Sequence, residues 1–185
     1  MSRCEWAKSD LDIAYHDNEW GKPLHDDKKL FEIIILEGMQ AGLSWSIILN
    51  KREHMREAFS DFDVKKVSEY DEKKIEELMQ NTKIIRNRRK LEALITNAKS
   101  FIEIQHKYCS FDKYIWSFVD NQPIINNWNE MNELPTSTDI SDYMSKELKK
   151  HGFKFVGTTI CYSYMQAIGM VNDHMSWCEF RDSKK

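Results

Sequence analysis

Hydrophobic residues recur at spacings of three and four along most of the chain, a pattern that predicts helices. The clearest stretch follows the acidic pair Asp26 and Asp27 and contains Leu30, Phe31, Ile34, Ile35 and Met39. Further amphipathic segments cover residues 44–59, 72–79, 84–104, 111–118, 140–150 and 158–170, with Ser44 as a helix cap. Residues 120–139 are interpreted as a long connecting loop. The pattern predicts an all-α protein with a single domain over residues 1–185.

Composition places the chain among ordinary globular proteins, since 41% of its residues are hydrophobic and 31% are charged. No apolar run approaches the roughly 20 residues that a membrane span needs, so no membrane partner is expected. Residues 1–6 lack the apolar core of a secretory signal, which favours a cytoplasmic location. The four cysteines are then expected to be free thiols, metal ligands or catalytic groups rather than disulfides. Cys109 and Cys161 have no histidine at a comparable spacing and are expected in the core.

Two cysteines and two histidines near the chain ends form a candidate metal site. Cys4 and His16 lie near the N-terminus, and His174 and Cys178 lie near the C-terminus. The four-residue offset of the second pair puts both on one face if that segment is helical. A Cys₂His₂ set suits one structural zinc ion. The alternative is that Cys4 is a loose terminal thiol and His174 a surface residue.

One carboxylate and a group of aromatic residues suggest a binding site for a flat ligand. Glu37 lies in the apolar stretch 33–40, so its carboxylate faces a largely nonpolar interior and needs a partner. That partner is either a protein donor or a cationic, N–H-rich ligand. The aromatic residues crowd the first quarter of the chain and could sandwich a ligand or simply pack in the core: Trp6, Tyr15, Trp20 and Trp45.

Two turns are candidates for contact with a nucleic acid. In residues 40–45, Gly42 permits close backbone approach and Leu43 could project as an apolar wedge. Near the C-terminus a helix ends at Gly152, residues 153–157 turn, and a helix resumes at residue 158. Backbone N–H groups exposed after Gly157 would suit a phosphate. The alternatives are an ordinary interhelix turn and an αα-corner that binds nothing.

The net charge of −3 argues mildly against nucleic acid, but the positive charges are clustered. Either cluster could bind phosphates or form a solvated helix face. The first contains Lys83, Arg86, Arg88, Arg89 and Lys90, and the second contains Lys146, Lys149, Lys150, His151 and Lys154.

Six stretches of the sequence together resemble one known family. They are AYHDNEWG at 14–21, LEG at 36–38, QAGLSW at 40–45, WSFV at 116–119, LPTST at 134–138 and GFKFVGTTICYS at 152–163. On these stretches the chain resembles the bacterial 3-methyladenine DNA glycosylase I enzymes, a divergent branch of the helix-hairpin-helix glycosylases. The resemblance implies a helix-hairpin-helix over about residues 141–170. It also implies a zinc site that joins residues 1–20 to residues 170–180.

The resemblance implies roles for the residues singled out above. The zinc ligands fall on Cys4, His16, His174 and Cys178. The catalytic pair falls on Glu37 and Tyr15, and the base-binding tryptophans fall on Trp45, Trp6 and Trp20. DNA contacts are expected from Gly42, Leu43, Lys154, Gly157 and Thr158. One departure is Asp12, which stands where relatives commonly have an aromatic residue of the pocket wall.

The implied activity is hydrolysis of the N-glycosidic bond of 3-methyladenine in alkylated double-stranded DNA, by a monomer without a lyase step. Free 3-methyladenine would be the released product. An aspartate that usually follows the hairpin in the wider superfamily is absent here, and Asp173 lies next to the ligand His174. Two rival interpretations are a module that binds a modified base without cleaving it, and a zinc-stabilised protein-interaction domain.

Overall fold

Nine helices and a minimal parallel strand pair make up residues 2–181, the part of the chain that the computed structural model describes. The α-helices are α1 Asp10–Asn18, α2 Asp27–Gln40, α3 Trp45–Ala58, α4 Val64–Ser68, α5 Glu72–Gln80, α6 Arg88–Tyr108, α7 Phe111–Trp116, α8 Asp139–Lys150 and α9 Thr158–Ala167. Short 3₁₀ turns occupy Ser60–Phe62, Ser117–Val119 and Met131–Glu133. The mostly helical prediction is confirmed. The first residue and residues 182–185 of the predicted single domain lie outside the described residues.

Helix α2 is the centre of the fold. All of its residues from Leu30 to Met39 are buried, and it packs against α3, α6, α7 and α9. A helix that is apolar almost all round must be covered on every side, which explains the ring of neighbours. Glu37 and the turn after Gln40 are therefore held by a central helix that is packed on all sides.

Most predicted helices are present, with shifted ends. Ser44 caps α3 by accepting a hydrogen bond from the Ile47 amide, as predicted. Helix α6 begins at Arg88 rather than at residue 84, because Asn87 is extended and its side chain accepts from the Lys90 amide. Helix α9 ends at Ala167, three residues before the predicted end at 170.

Helix α1 is not predicted by hydrophobic periodicity. Its buried residues are Asp12, Tyr15 and His16, whereas Leu11 is exposed, so it has no apolar stripe. A capping box between Ser9 and Asp12 starts the helix instead. The Ser-x-x-Asp spacing is the sequence signal that could have revealed it.

The connecting segment between α7 and α8 is more ordered than a loop. Strand β1, Ile124–Ile125, pairs in parallel with strand β2, Val171–Asn172, so that Ile124 aligns with Val171. The Ile124 amide donates to Met170 O at 2.9 Å and the Asn126 amide to Asn172 O at 3.1 Å. This pairing brings residues 126–134 against the C-terminal segment. None of the helices within residues 2–181 is both long and apolar enough to cross a membrane.

Candidate active site

A cavity of about 290 Å³ opens beside the C-terminal half of α2. That volume lies near the lower end of the roughly 300–1,000 Å³ typical of small-molecule sites, which suits one small flat ligand. All five residues expected from the sequence line it, together with Gln40, Met131, Leu134, Ser163 and Gln166. The expected residues are Trp6, Tyr15, Trp20, Glu37 and Trp45.

Sequence reasoning did not assign the second group of lining residues. Gln40, Leu134 and Ser163 lie within three of the stretches that carry the family resemblance, which was the available signal. Met131 reaches the cavity from the segment that was predicted to be a plain loop. Ser163 and Gln166 come from the face of α9 that carries no apolar stripe.

Aromatic rings form a continuous wall of the cavity. The Tyr15 ring lies 5.2 Å from the Trp45 ring between centroids, and the Trp6 ring lies 5.1 Å from the Trp20 ring. Tyr15 is buried and Trp45 is half-buried. Such edges and faces can contact a planar base on more than one side.

Two buried polar atoms of cavity-lining residues have no hydrogen-bond partner among the described residues. One is the acceptor Glu37 Oε2 and the other is the donor Trp45 Nε1. Burial raises the pKa of the Glu37 carboxyl to about 8, because desolvation penalises its charged form. Buried polar groups are nearly always satisfied in native proteins, so an unpaired acceptor and donor at one cavity indicate that a ligand completes the site.

Asp12 does not line this cavity. Its carboxylate accepts from the Ser9 amide at 3.2 Å and the Ser9 hydroxyl at 2.7 Å, and the Ser46 hydroxyl also donates to it at 3.2 Å. Asp12 therefore caps α1 and fastens it to α3. Asp12 supports the wall through the placement of α1 rather than forming part of it.

The four candidate metal ligands converge although the chain ends are far apart in sequence. All four are buried, and their ligand atoms lie within 4.8 Å of one another. Cys178 Sγ lies 3.6 Å from His16 Nε2 and 3.7 Å from His174 Nδ1, and Cys4 Sγ also lies 3.7 Å from His174 Nδ1. Ligand atoms around a tetrahedral zinc, bound at about 2.0–2.3 Å, would be roughly 3.6 Å apart. The donor set and its spacing therefore fit a metal ion.

The segment with His174 and Cys178 is not helical, contrary to the condition attached to their four-residue offset. A turn after β2 brings the two side chains together instead. The outer ring nitrogens also have partners: His16 Nδ1 lies 2.8 Å from Asp17 Oδ1, and His174 Nε2 lies 3.2 Å from Trp20 O. Such contacts fix the ring orientation that a ligand histidine needs.

Burial changes the protonation chemistry of this cluster. It raises the pKa of the Cys4 thiol to about 12 and lowers the pKa of His174 to about 4. Both residues are therefore neutral on their own, and a thiolate there requires a nearby cation. Of the other two cysteines, Cys161 is buried as predicted. The prediction for Cys109 was wrong, since it is exposed at the left-handed end of α6, where φ is +74°.

Asp173 is not available to activate water. It is fully buried, and its two oxygens accept four hydrogen bonds at 2.6–2.7 Å. The donors are the Asn126 amide group, the Trp128 indole, the Tyr162 hydroxyl and the Gln166 amide group. The carboxylate thus holds the 126–128 segment and α9 together behind the cavity.

The turn after α2 presents a small apolar projection. Gly42 adopts φ +78°, a conformation that other residues rarely take, and Leu43 is 37% exposed. The Leu43 amide donates to Gln40 O at 2.6 Å, which closes the turn. We call residues 40–43 the wedge turn.

The segment between α8 and α9 forms a tight turn, as predicted from the sequence. No side chain caps the N-terminus of α9 at Gly157. The Thr158 hydroxyl contacts the carboxylate of Asp142 and the hydroxyl of Ser141. Lys154 is exposed and lines a separate groove of about 410 Å³ with Arg89. We call residues 153–157 the hairpin.

The two basic clusters are partly neutralised. Arg88 pairs with Glu72 and Glu76, and Lys150 pairs with Glu147 at 2.5 Å. Lys90 is buried. Each cluster is thus in part a set of helix-surface ion pairs, and Arg89 and Lys154 remain exposed beside the hairpin.

Comparisons with known proteins agree on one family. The sequence model of the methyladenine glycosylase family matches residues 6–182. The chain is 53% identical to DNA-3-methyladenine glycosylase 1 of Escherichia coli (strain K12), over 96% of both chains. It is 47% identical to DNA-3-methyladenine glycosylase of Haemophilus influenzae, over 98% of this chain and 99% of that protein. A solved structure of 3-methyladenine DNA glycosylase I from Staphylococcus aureus, described for its 3-methyladenine recognition, superposes with a TM-score of 0.93 at 36% identity, covering 96% of this chain and 95% of that one.

Proposed function

The chain belongs to the methyladenine glycosylase family, and we propose that it hydrolyses the N-glycosidic bond of 3-methyladenine in alkylated double-stranded DNA. The products are free 3-methyladenine and an abasic site. The observation that carries the proposal is the pair of unpaired buried atoms, Glu37 Oε2 and Trp45 Nε1, at an aromatic cavity sized for one base.

Charge explains how this cavity selects the methylated base. Methylation at N3 gives the nucleotide base a delocalised positive charge, which aromatic faces attract. Glu37 accepts hydrogen bonds from the N–H edge of the base, and a cation beside it favours the ionised carboxylate. Normal adenine lacks that charge and leaves the desolvated carboxylate without compensation. Tyr15 and Trp45 hold the ring plane.

The cavity can be reached only by a base that has left the DNA stack. Leu43 on the wedge turn fills the space that the base vacates, and Gly42 lets the backbone approach the duplex. Residues 139–167 act as a helix-hairpin-helix, in which Lys154, Gly157 and Thr158 contact backbone phosphates. The uncapped N-terminus of α9 and the exposed Lys154 support this role.

Bond cleavage then needs little help from the protein. The C1′–N9 bond breaks with its electron pair going to the cationic base, which becomes neutral, and water adds to C1′ with loss of a proton. Glu37 stabilises the departing base at its edge. Lys154 does not line the base cavity, so no Schiff-base step is assigned to it. We take a monomer as the active unit, since the described lining residues enclose the cavity within one chain, and size-exclusion chromatography of the active protein tests this.

The decisive experiment is chromatography of the bases released from methylated duplex DNA. The wild-type protein should release 3-methyladenine and leave the strand intact, without a borohydride-trapped adduct. Glu37→Gln should fold and bind DNA, yet release the base roughly 10- to 100-fold more slowly, since a charge-assisted hydrogen bond contributes about 1.5–3 kcal/mol. Binding of the free base without release from DNA would indicate a non-catalytic binding module instead.

We also propose that Cys4, His16, His174 and Cys178 hold one structural zinc ion. The 3.6–3.7 Å spacings and the partnered histidine nitrogens support it. A bound ion would tie the N-terminal segment to the C-terminal one and hold the α1 residue Tyr15 at the cavity, because Tyr15 precedes His16. It would take no part in breaking the glycosidic bond.

Paired substitutions test the zinc site. Cys178→Ser should lower the zinc content, measured by atomic emission, and the thermal midpoint together, since metal binding at such sites is coupled to folding. Cys109→Ser is the matched control, because Cys109 is exposed and outside the cluster. A wild-type protein that keeps its thermal midpoint after chelation would contradict the proposal.

A further inference from the structure

Helix α6 carries a buried lysine whose amine bonds only to backbone carbonyls in the described structure. Lys90 is 7% exposed, and its Nζ donates to Met39 O at 2.8 Å and to Ala41 O at 2.7 Å. Burial lowers the pKa of this amine. The two carbonyls belong to the last turn of α2 and to the wedge turn. Lys90 therefore fastens the wedge turn to α6.

The same helix carries a buried asparagine that fastens the hairpin. Asn97 is 3% exposed, and its side chain donates from Nδ2 to Lys154 O at 3.0 Å. Its Oδ1 accepts from the Lys154 amide at 2.7 Å. Both backbone polar groups of Lys154 are thus bound to one side chain, which fixes the hairpin backbone and leaves the lysine side chain free to reach outward.

The two side chains lie on one face of α6. A separation of seven residues is close to two helical turns, so they are about 10 Å apart along the axis. Gly38 and Phe155 line the narrow gap between them, with Ala93 on the α6 side. A Cβ atom on Gly38 would lie 3.4 Å from Phe155 Cβ, which shows how closely α2 and the hairpin approach. The wedge turn and the hairpin are thus both hydrogen-bonded to the same helix, α6.

We propose that Lys90 and Asn97 are positioning residues that set the spacing between the wedge turn and the hairpin. The inference rests on the proposed function, in which the wedge turn enters the base stack while the hairpin binds phosphates. A duplex can be bound at both places only if their separation matches the DNA. When either loop is loose, DNA binding must order it, and the cost of that ordering weakens binding.

Buried side chains fit this role better than direct DNA contact. The Lys90 amine is enclosed and already donates to two carbonyls, so it cannot reach a phosphate. The proposal therefore separates two readouts. Loss of the Lys90 or Asn97 hydrogen bonds weakens duplex DNA as a substrate more than it weakens binding of free 3-methyladenine, because Gln40 alone among the described cavity-lining residues lies in the wedge turn.

The experiment compares Lys90→Met, Asn97→Leu and the double variant with the wild-type protein. Each single variant should raise KM for methylated duplex DNA about tenfold, in keeping with the effect of small misplacements of binding groups. Affinity for free 3-methyladenine should stay within about twofold. The double variant should lose little more than either single one, because a spacing is lost once either end is free. Ile104→Val is the matched control, since it trims a buried residue at the far end of α6.

Several outcomes would overturn the proposal. An unchanged KM for duplex DNA in both single variants would overturn it. An equal loss of affinity for duplex DNA and for free 3-methyladenine, no larger than the loss in Ile104→Val, would also overturn it. A double variant with the product of the single losses would indicate two independent contacts. If Lys90→Met or Asn97→Leu does not fold, Lys90→Gln and Asn97→Asp take their place, since each keeps part of the hydrogen bonding. If the wild-type protein releases no base, the proposed function fails. If the wild-type protein releases the base and the variants keep its KM, only the positioning role of Lys90 and Asn97 is rejected.

Discussion

Two pairs, each of a buried carboxyl group and a half-buried tryptophan, differ in their hydrogen bonding. Glu37 Oε2 and Trp45 Nε1 have no partner among the described residues. Asp173 and Trp128 bond directly to each other at 2.7 Å, and Asp173 accepts three further hydrogen bonds. The same chemical groups thus serve two purposes. The satisfied pair stabilises the fold, and the unsatisfied pair is free to bind the ligand that the proposed function assigns to it.

The two carboxyl groups also differ in their effect on the stability of the folded protein. A carboxylate buried without partners lowers stability, and proteins keep such groups mainly where a site must be pre-organised. A carboxylate with four donors is fixed in place and cannot accept more. Glu37, the acid proposed to bind the base, thus differs in hydrogen bonding from Asp173, the acid that holds the scaffold, and the following predictions test that difference.

The largest expected effect is that of Asp173→Asn on stability. An amide nitrogen in place of one oxygen would face donors such as Tyr162 and Gln166, so we expect a loss of about 4 kcal/mol of unfolding free energy. Chemical denaturation at constant zinc concentration measures it. Glu37→Gln is the matched control, because the same carboxylate-to-amide change there breaks no described hydrogen bond to Oε2. Equal losses in the two variants would erase the distinction.

The next effect is a pH dependence carried by Glu37. The pKa of its carboxyl is about 8 when folded, above the ordinary 4.5, so the folded state holds a proton that the unfolded chain releases. The stabilisation of this protonated form is complete below pH 4.5 and is lost as the pH rises toward 8. Relative to Glu37→Gln, the wild-type protein should lose about 2–3 kcal/mol of stability between pH 5 and pH 7, since one proton changes stability by at most about 1.4 kcal/mol per pH unit. Parallel stability curves for the two proteins would contradict the raised pKa.

The smallest expected effects are those of replacing Trp45 or Trp128, and they differ in kind. Trp45→Phe removes an unpaired donor, so it should weaken binding of free 3-methyladenine about tenfold and leave the unfolding free energy nearly unchanged. Trp128→Phe removes a donor to Asp173, so it should cost about 1–2 kcal/mol of stability and leave binding nearly unchanged. Calorimetric titration should show a binding loss in Trp45→Phe only, and thermal melts should show a stability loss in Trp128→Phe only. A variant that shifts both quantities alike would weaken the comparison.

Much of the fold was predictable from local sequence. The periodicity at residues 30–39 and the cap at Ser44 predicted α2 and α3, because spacing and capping act within a few residues. Helix α1 was not predicted by periodicity because its buried face is polar and aromatic. The exposure of Cys109 was not predicted either, since a cysteine at the end of a helix is buried or exposed according to what packs there.

The candidate site was also predictable from the sequence only in part. Residue types and the family resemblance placed Tyr15, Glu37 and Trp45 at one cavity, and the cavity does bring them together. The sequence also made the cysteines and histidines at the chain ends candidates for one site, although the helix assumed for His174 and Cys178 is absent. The contributions of Met131 and Gln166 depended on long-range packing and had no local signal.

By itself, the sequence determined most of the helical segments, which residue types are available for chemistry, and the family to which the chain belongs. Only the tertiary structure decided which buried polar groups are satisfied. The partners of Asp173 come from residues 126, 128, 162 and 166, and those of Lys90 come from residues 39 and 41. Hydrogen bonding of a buried group depends on distant segments meeting in space, whereas helix formation depends on neighbours along the chain.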